Sequence, residues 1–114
     1  IDCRTTAEWS YVGVPDLSEM GKEQVNLSWK IFPEMCVNPL FQNKMSDACP
    51  NQDAILLFLC RSGVRSIDAA ISATEAGYNN AYNILEGFEG DKDSEGHRGR
   101  LGGWKFCNLP WKQG

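Results

Sequence analysis

The chain has 114 residues, of which 42% are hydrophobic and 23% charged, and this composition is typical of one globular domain with a single core. The formal net charge of −4 argues against nucleic-acid and anionic-membrane partners, because both require a basic face. The longest apolar run, residues 54–60, is too short to cross a bilayer. We therefore expect one domain over residues 1–114 that binds neither nucleic acid nor membrane.

The first residues carry no signal-like charged and apolar regions, so we expect a cytoplasmic protein. Residues 1–3 already have the pattern of a strand. This start is therefore compatible with a chain whose N-terminal end is truncated.

The first half of the chain alternates strand and helix signals. After the strand at residues 1–3, Thr5-x-x-Glu8 is a capping-box pattern that opens a short helix. Residues 25–29 predict a second strand. Asn38-Pro39 then provides a cap and a first-turn proline for a helix that runs toward Ala48.

The second half continues the alternation. Residues 54–59 form a wholly apolar strand, which indicates burial on both faces in the middle of a parallel sheet. Ile67 to Thr74 follow helical spacing, and Gly77 is placed to end that helix. Residues 81–85 predict another strand. The alternation predicts an α/β domain of three layers, with a mostly parallel central sheet and helices on both faces.

The five cysteines are an odd number with wide, irregular spacing and no C-x-x-C pair, which disfavours both a disulfide framework and a zinc site. Most of them are expected to be buried, reduced thiols. Cys60 differs because it ends the apolar strand and opens a short glycine-containing loop with two arginines, before the next helix.

This loop, residues 60–66 (the Cys60 loop), has the features of an anion site. Ligands of open α/β sheets bind at the carboxyl ends of the strands. Successive backbone N–H groups around a central glycine can surround an anion, and the N-terminus of the following helix adds partial positive charge. A cysteine at the first position should therefore have a lowered pKa and be a nucleophilic thiolate.

The sequence Cys60-Arg-Ser-Gly-Val-Arg65 resembles the active-site loop of rhodanese-like sulfurtransferases, C-R-x-G-x-R, which also follows an apolar strand. Residues 1–4 resemble the D-x-R strand of that family, and the segment from Tyr82 to Gly87 resembles its closing V-x-x-L-x-G-G pattern. The chain departs from the pattern at Val12-Gly13, at Asp16-Leu17 and at Phe88, which replaces the second closing glycine.

The resemblance implies a rhodanese-like domain that moves a sulfane sulfur from a donor such as thiosulfate to cyanide or a thiol. Cys60 would be catalytic and would carry the sulfur as a persulfide. The residues that would bind substrate are Arg61, Ser62, Gly63, Val64, Arg65 and Ser66. Such an enzyme needs no metal and no organic cofactor. Its partners would be a small anionic sulfur donor, the acceptor, and in one version a sulfur-acceptor protein.

Two other functions stay open. The protein could be a persulfide carrier or a binding module for a partner protein, with the same Cys60 persulfide. It could also be an oxyanion enzyme related to phosphatases or arsenate reductases. The second function is disfavoured because those loops place five residues between cysteine and arginine, whereas four separate Cys60 from Arg65.

Residues 89–104 predict an extended loop (the 89–104 loop), rich in glycine and charge. We expect either a lid over the site, with His97, Arg98 and Arg100 as anion-binding groups, or a simple connector. A single histidine in a polar loop is most often solvated, so His97 is expected to lie in water.

Overall fold

The computed structural model describes residues 1–22 and 24–113. The elements in chain order are α1 (Thr6–Tyr11), β1 (Val14–Pro15), a 3-10 turn (Ser18–Met20), β2 (Lys30–Ile31), β3 (Cys36–Val37), α2 (Phe41–Ala48), β4 (Ile55–Phe58), α3 (Arg65–Glu75), β5 (Asn80–Asn83) and β6 (Trp111–Lys112).

The central sheet is parallel. Strands β4 and β5 pair in parallel, from Ile55 opposite Asn80 to Phe58 opposite Asn83. Beyond β4, Asp2 forms parallel bridges both to the end of this strand and to Asn26. The lateral order is therefore β5, β4, the segment around Asp2 and the segment around Asn26, and the predicted parallel α/β architecture is confirmed. The strands predicted at residues 1–3 and 25–29 are reduced to single bridges.

The capping box predicted for α1 is present, and the start of α2 is shifted along the chain. The Thr5 hydroxyl accepts from the Glu8 backbone N–H, and the Glu8 carboxylate accepts from the Thr5 N–H, so the capping box of α1 is complete. Helix α2 begins later than expected. The Asn38 side chain caps a preceding turn by accepting from the N–H of Leu40, and regular helix starts at Phe41.

The core lies on one face of the sheet. Leu56 and Phe58 of β4 pack there with residues of α2 and α3. The expectation that this strand is buried on both faces is wrong, because Ile55 and Leu57 are 72% and 50% exposed. Helices α2 and α3 contribute apolar side chains to the opposite face only. Ile55 and Leu57 instead line an apolar cavity of about 430 Å³ that Cys60 does not border.

Two antiparallel pairs were not predicted from the sequence. Strand β2 pairs with β3, and β1 pairs with β6 near the end of the described chain. Ladders of two residues carry too few side chains for an alternating pattern to be detected. The β1–β6 pair is nevertheless important for the fold, because it holds the C-terminal segment against the chain that follows α1. No helix within residues 1–22 and 24–113 is long and apolar enough to span a membrane.

Candidate active site

Cys60 lies at the carboxyl edge of the parallel sheet, two residues beyond the end of β4. Asn83, which ends β5, is opposite Phe58, so the chain leaves both strands at the same edge. Helix α3 begins at Arg65, so the last two residues of the Cys60 loop are the first two of this helix. The Cys60 loop therefore occupies the position in which α/β folds bind ligands, and Cys60 itself is only 1% exposed.

Hydrogen-bond donors of the Cys60 loop converge on the Cys60 sulfur. The backbone N–H of Gly63 donates to Sγ at 3.1 Å. The Ser66 hydroxyl, one residue into α3, lies 3.2 Å from the same atom. A buried sulfur that accepts from an N–H group and a hydroxyl is placed to carry negative charge.

These donors control the protonation of Cys60. Burial by itself raises the pKa of the thiol. The Ser66 hydroxyl and the backbone N–H groups of Ser66, Ser62 and Gly63 outweigh burial, so the pKa of Cys60 lies below its ordinary value. The predicted thiolate is thus favoured by hydrogen bonds to the sulfur.

The back of the loop is fixed by the chain that follows β5. The Phe88 N–H donates to the carbonyl of Cys60, and the N–H groups of Glu89 and Gly90 donate to the carbonyl of Arg61. Both carbonyls thus have hydrogen-bond donors outside the loop. The N–H groups of the loop remain free to face Sγ, as an anion nest requires.

Gly63 is needed for two separate reasons. Its φ of +95° is a conformation that L side chains rarely adopt. A β-carbon at this position would also meet the carbonyl oxygen of Leu85 at 2.0 Å. The glycine of the motif therefore allows the loop to turn while it packs against the chain after β5.

Arg65 turns inward and is held by Glu8. Its two terminal nitrogens donate to the two carboxylate oxygens at 2.8 and 2.9 Å. Burial raises the pKa of Glu8, but the hydrogen bonds from Arg65 and Thr5 and the charge of Arg65 lower it by more. The pKa of Glu8 therefore lies below its ordinary value. The carboxylate that caps α1 thereby also anchors the start of α3, and with it the end of the Cys60 loop.

The remaining loop residues face outward. Arg61 and Val64 are exposed, and Ser62 is half-buried. The Arg61 guanidinium makes no hydrogen bond or ion pair to any of the described residues, which leaves out only Glu23 and Gly114. Arg61 and Arg65, which the motif presents as a pair, are therefore in different situations: one is available to a ligand and the other is committed to Glu8.

Asn83 was not identified from the sequence. Its side-chain N–H2 donates to the carbonyl of Gly63 at 3.0 Å, and its oxygen contacts the Ser66 hydroxyl. It thus contacts both residues that donate to Cys60. The sequence placed Asn83 in the middle of a strand predicted over residues 81–85. In the structure β5 ends at Asn83, and this earlier end brings its side chain to the edge of the sheet that carries Cys60.

A buried ion pair lies next to the site. Arg4 donates two bonds to Asp2 and one to the carbonyl of Gly13, and its guanidinium stacks over the Phe88 ring at 4.3 Å. Asp2 and Arg4 thus form a buried structural ion pair. Phe88 replaces the second closing glycine of the family pattern, and its buried ring covers this cation.

Among the described residues, no other cysteine sulfur accepts a hydrogen bond. The expectation that most of the cysteines are buried is wrong, because only Cys3 and Cys60 are. Cys3 is buried and its own thiol donates to the carbonyl of Leu59, while burial raises its pKa to about 12. Cys36 and Cys107 are exposed. Within residues 1–22 and 24–113, no three His, Cys, Asp or Glu side chains are grouped so that they could hold a metal ion.

The two arginines of the 89–104 loop are bound within that loop. Arg98 donates to the carbonyl of Gly90 at 2.7 Å, and Arg100 lies 3.5 and 3.4 Å from the carboxylates of Asp93 and Glu95. The imidazole of His97 is about half exposed, as expected of a solvated histidine. The two arginines proposed as anion-binding groups of a lid therefore have partners of their own, and His97 is solvated.

Comparisons with known proteins agree with this geometry. A family model described as a rhodanese-like domain matches residues 1–94. The crystal structure of Rv0390 from M. tuberculosis superposes with a TM-score of 0.91 at 50% identity, over 99% of this chain and 82% of that one.

Rickettsial proteins are similar over nearly the whole chain. The uncharacterized protein RC0915 of Rickettsia conorii is 42% identical over 112 residues, which is 98% of this chain and 80% of that protein. The uncharacterized protein RP600 of Rickettsia prowazekii is 39% identical over 113 residues, with the same shares covered. The family model and the structural neighbour confirm the predicted α/β fold.

Proposed function

The chain belongs to the rhodanese-like domain family, and from this premise we propose that it is a sulfurtransferase in which Cys60 carries sulfane sulfur as a persulfide. One observation carries the proposal. The buried Sγ of Cys60 accepts from the Gly63 N–H and lies beside the Ser66 hydroxyl, 3.1 and 3.2 Å away. These donors stabilise the thiolate that attacks the sulfur donor, and the N-terminus of α3 would stabilise the negative charge on the outer sulfur of the persulfide.

The reaction uses two displacements at sulfur. The Cys60 thiolate attacks the outer sulfur of thiosulfate with its electron pair, the S–S bond of the donor breaks, and sulfite leaves with that bonding pair. Cyanide or a thiolate acceptor then attacks the outer sulfur of the persulfide, and Cys60 leaves as thiolate. The two steps balance without an external oxidant or reductant.

Arg61 would bind the donor. It directly follows Cys60 in the chain and is exposed, and its guanidinium has no partner among residues 1–22 and 24–113. A dianionic donor could accept charge-assisted hydrogen bonds from it. Ser62 and Gly63 would contribute backbone N–H groups, Ser66 its hydroxyl, and exposed Val64 would form part of the rim.

The ion pair of Arg65 disfavours the phosphatase-like alternative. An oxyanion enzyme of that kind needs its loop arginine to grip the substrate oxygens. Both terminal nitrogens of Arg65 already donate to Glu8. We therefore assign Arg65 a positioning role at the loop, and not direct contact with a tetrahedral anion.

Transfer to a protein acceptor is compatible with the same persulfide. Such a carrier would load sulfur on Cys60 but turn over small acceptors slowly. Comparing cyanide turnover with sulfur transfer to a thiol-bearing protein distinguishes the two versions.

Intact mass spectrometry after thiosulfate treatment tests the proposal. We expect the mass of one added sulfur atom, its removal by cyanide, and no adduct in Cys60→Ser. Cys36→Ser and Cys107→Ser are matched controls because both thiols are exposed, and both variants should load like wild type. An adduct that persists in Cys60→Ser would refute the assignment.

A further inference from the structure

The side chain of Asn83 has a fixed orientation at the end of β5. Its N–H2 group lies 3.0 Å from the carbonyl oxygen of Gly63. A carbonyl can only accept, so the nitrogen of the amide must face Gly63. The amide oxygen must then face Ser66, where it contacts the hydroxyl.

Ser66 consequently lies between two acceptors. Its hydroxyl contacts the amide oxygen of Asn83 and lies 3.2 Å from the Sγ of Cys60. A hydroxyl has a single proton to donate. It can direct that proton to Asn83 or to the sulfur, but not to both at once.

The two orientations suit different states of Cys60. When Cys60 is a thiol, its S–H can donate to Ser66 while Ser66 donates to Asn83, and every polar group is satisfied. When Cys60 is a thiolate, Ser66 must turn its proton to the sulfur. The oxygens of Ser66 and Asn83 then face each other with no proton between them, which is unfavourable in a half-buried site.

We infer that Asn83 is a positioning residue that competes with Cys60 for the Ser66 proton and so favours the states in which Sγ bears no charge. One such state is the thiol. The other, which rests on the proposed function, is the persulfide, because its charge lies on the outer sulfur. Asn83 would therefore favour sulfur-loaded Cys60 over the bare thiolate.

Other groups around Cys60 must be kept constant in any test. Arg65 faces it from the start of α3 and is paired with Glu8 of α1, Arg61 follows it in the loop, and the Cys3 thiol lies on the neighbouring segment. None of them contacts Asn83 through a hydrogen bond among the described residues. Substitutions at Asn83 therefore change the acceptor to which the Ser66 hydroxyl donates its proton, without removing a neighbouring charge.

The first measurement is the pH dependence of Cys60 alkylation by iodoacetamide, followed on the Cys60 peptide by mass spectrometry. Asn83→Ala should lower the pKa of Cys60 by about half to one pH unit, the size of one neutral hydrogen bond. Asn83→Val removes the same acceptor while keeping a side chain suited to a strand, and it should act alike. Asn80→Ala is the matched control. Asn80 lies at the other end of β5 and donates to the carbonyl of Asp53, so its loss should leave the pKa unchanged.

The double substitution separates this role from simple support of the loop. Ser66→Ala alone should raise the pKa of Cys60, and adding Asn83→Ala to it should cause no further change. If Asn83 merely supported the loop, its loss would raise the pKa in both backgrounds. That result, or an unchanged pKa in Asn83→Ala, would overturn the inference.

The loading equilibrium gives the second measurement. In a thiosulfate–sulfite mixture above the pKa of Cys60, Asn83→Ala should lower the ratio of persulfide to free Cys60 about three- to tenfold, matching its pKa shift. Wild type that never forms a persulfide would refute the proposed function, while the alkylation result would still decide the role of Asn83. A persulfide that forms in wild type and is equally abundant in Asn83→Ala would contradict the inference alone.

Discussion

The Cys60 loop and the 89–104 loop lie against each other, yet their polar groups are arranged in opposite ways. In the Cys60 loop, N–H groups and a hydroxyl from separate residues converge on one sulfur atom, and Arg61 has no partner among the described residues. In the 89–104 loop, Arg98 and Arg100 bind a carbonyl and carboxylates of the same loop. Similar composition therefore does not imply similar availability to a ligand.

The physical difference lies in what holds each loop. The Cys60 loop is short and is supported from outside, by Glu8, by Asn83 and by the N–H groups of residues 88–90. The 89–104 loop is long and must satisfy its own backbone, as in the bond from the Gly99 N–H to the carbonyl of Glu89. External support leaves the donors of the first loop free to meet a substrate.

The largest effect should come from replacing a glycine of the Cys60 loop by alanine, compared with the same replacement in the 89–104 loop. Gly63→Ala places a β-carbon 2.0 Å from a carbonyl oxygen at φ +95°, so we expect a loss of about 3 kcal/mol or more of unfolding free energy. Gly96→Ala has a similar φ of +79° but no atom within 4 Å, and should cost about 1 kcal/mol. Urea unfolding of both variants measures this difference. Equal losses would mean that contact with the chain after β5 does not constrain the Cys60 loop.

Removing one arginine from each loop should lower activity only when the arginine belongs to the Cys60 loop. Arg61→Ala should lower kcat/KM for thiosulfate about ten- to a hundredfold, because one charge-assisted hydrogen bond to the donor is lost. Arg100→Ala removes exposed ion pairs of small value and should leave kcat/KM within about twofold of wild type. Steady-state kinetics on both variants test this. Comparable losses would show that the 89–104 loop also binds the donor.

Acid should weaken the external support of the Cys60 loop. The pKa of Glu8 is lowered in the folded protein. Its contribution is therefore complete above the ordinary carboxyl value of about 4.5 and is lost as the pH falls through the lowered value. At pH 7, Glu8→Gln should reduce the unfolding free energy by about 1–3 kcal/mol, and this gap from wild type should narrow below about pH 4.5. A gap of constant size between pH 7 and pH 3 would exclude this role of the Glu8 charge.

The smallest effect should follow removal of the long loop itself. When a glycine–serine linker replaces residues 92–100, we expect folding and Cys60 persulfide formation to persist, with donor affinity within about twofold of wild type. The reason is that both arginines of this segment already have partners within the 89–104 loop. Persulfide mass and thiosulfate KM are the measurements. A large rise in KM would restore the lid interpretation.

Local signals in the sequence determined much of the fold. The capping box at Thr5 and Glu8, the helix stop at Gly77 and the apolar strand before Cys60 each act through residues within a few positions of one another. Such interactions depend on backbone geometry that the nearby sequence fixes. The motif likewise located Cys60 and its glycine at the edge of the sheet.

Tertiary structure alone decided how these pieces support one another. Glu8 and Arg65 are 57 positions apart, and Asn83 is 17 positions from Ser66. Their pairing depends on strand register and helix placement, which no local pattern specifies. The same holds for β4, whose residues are apolar on both faces although the helices cover only one. The sequence by itself determined which atom could become the nucleophile. The folded chain decided which donors reach that atom, because convergence on a single sulfur requires elements brought together from distant parts of the chain.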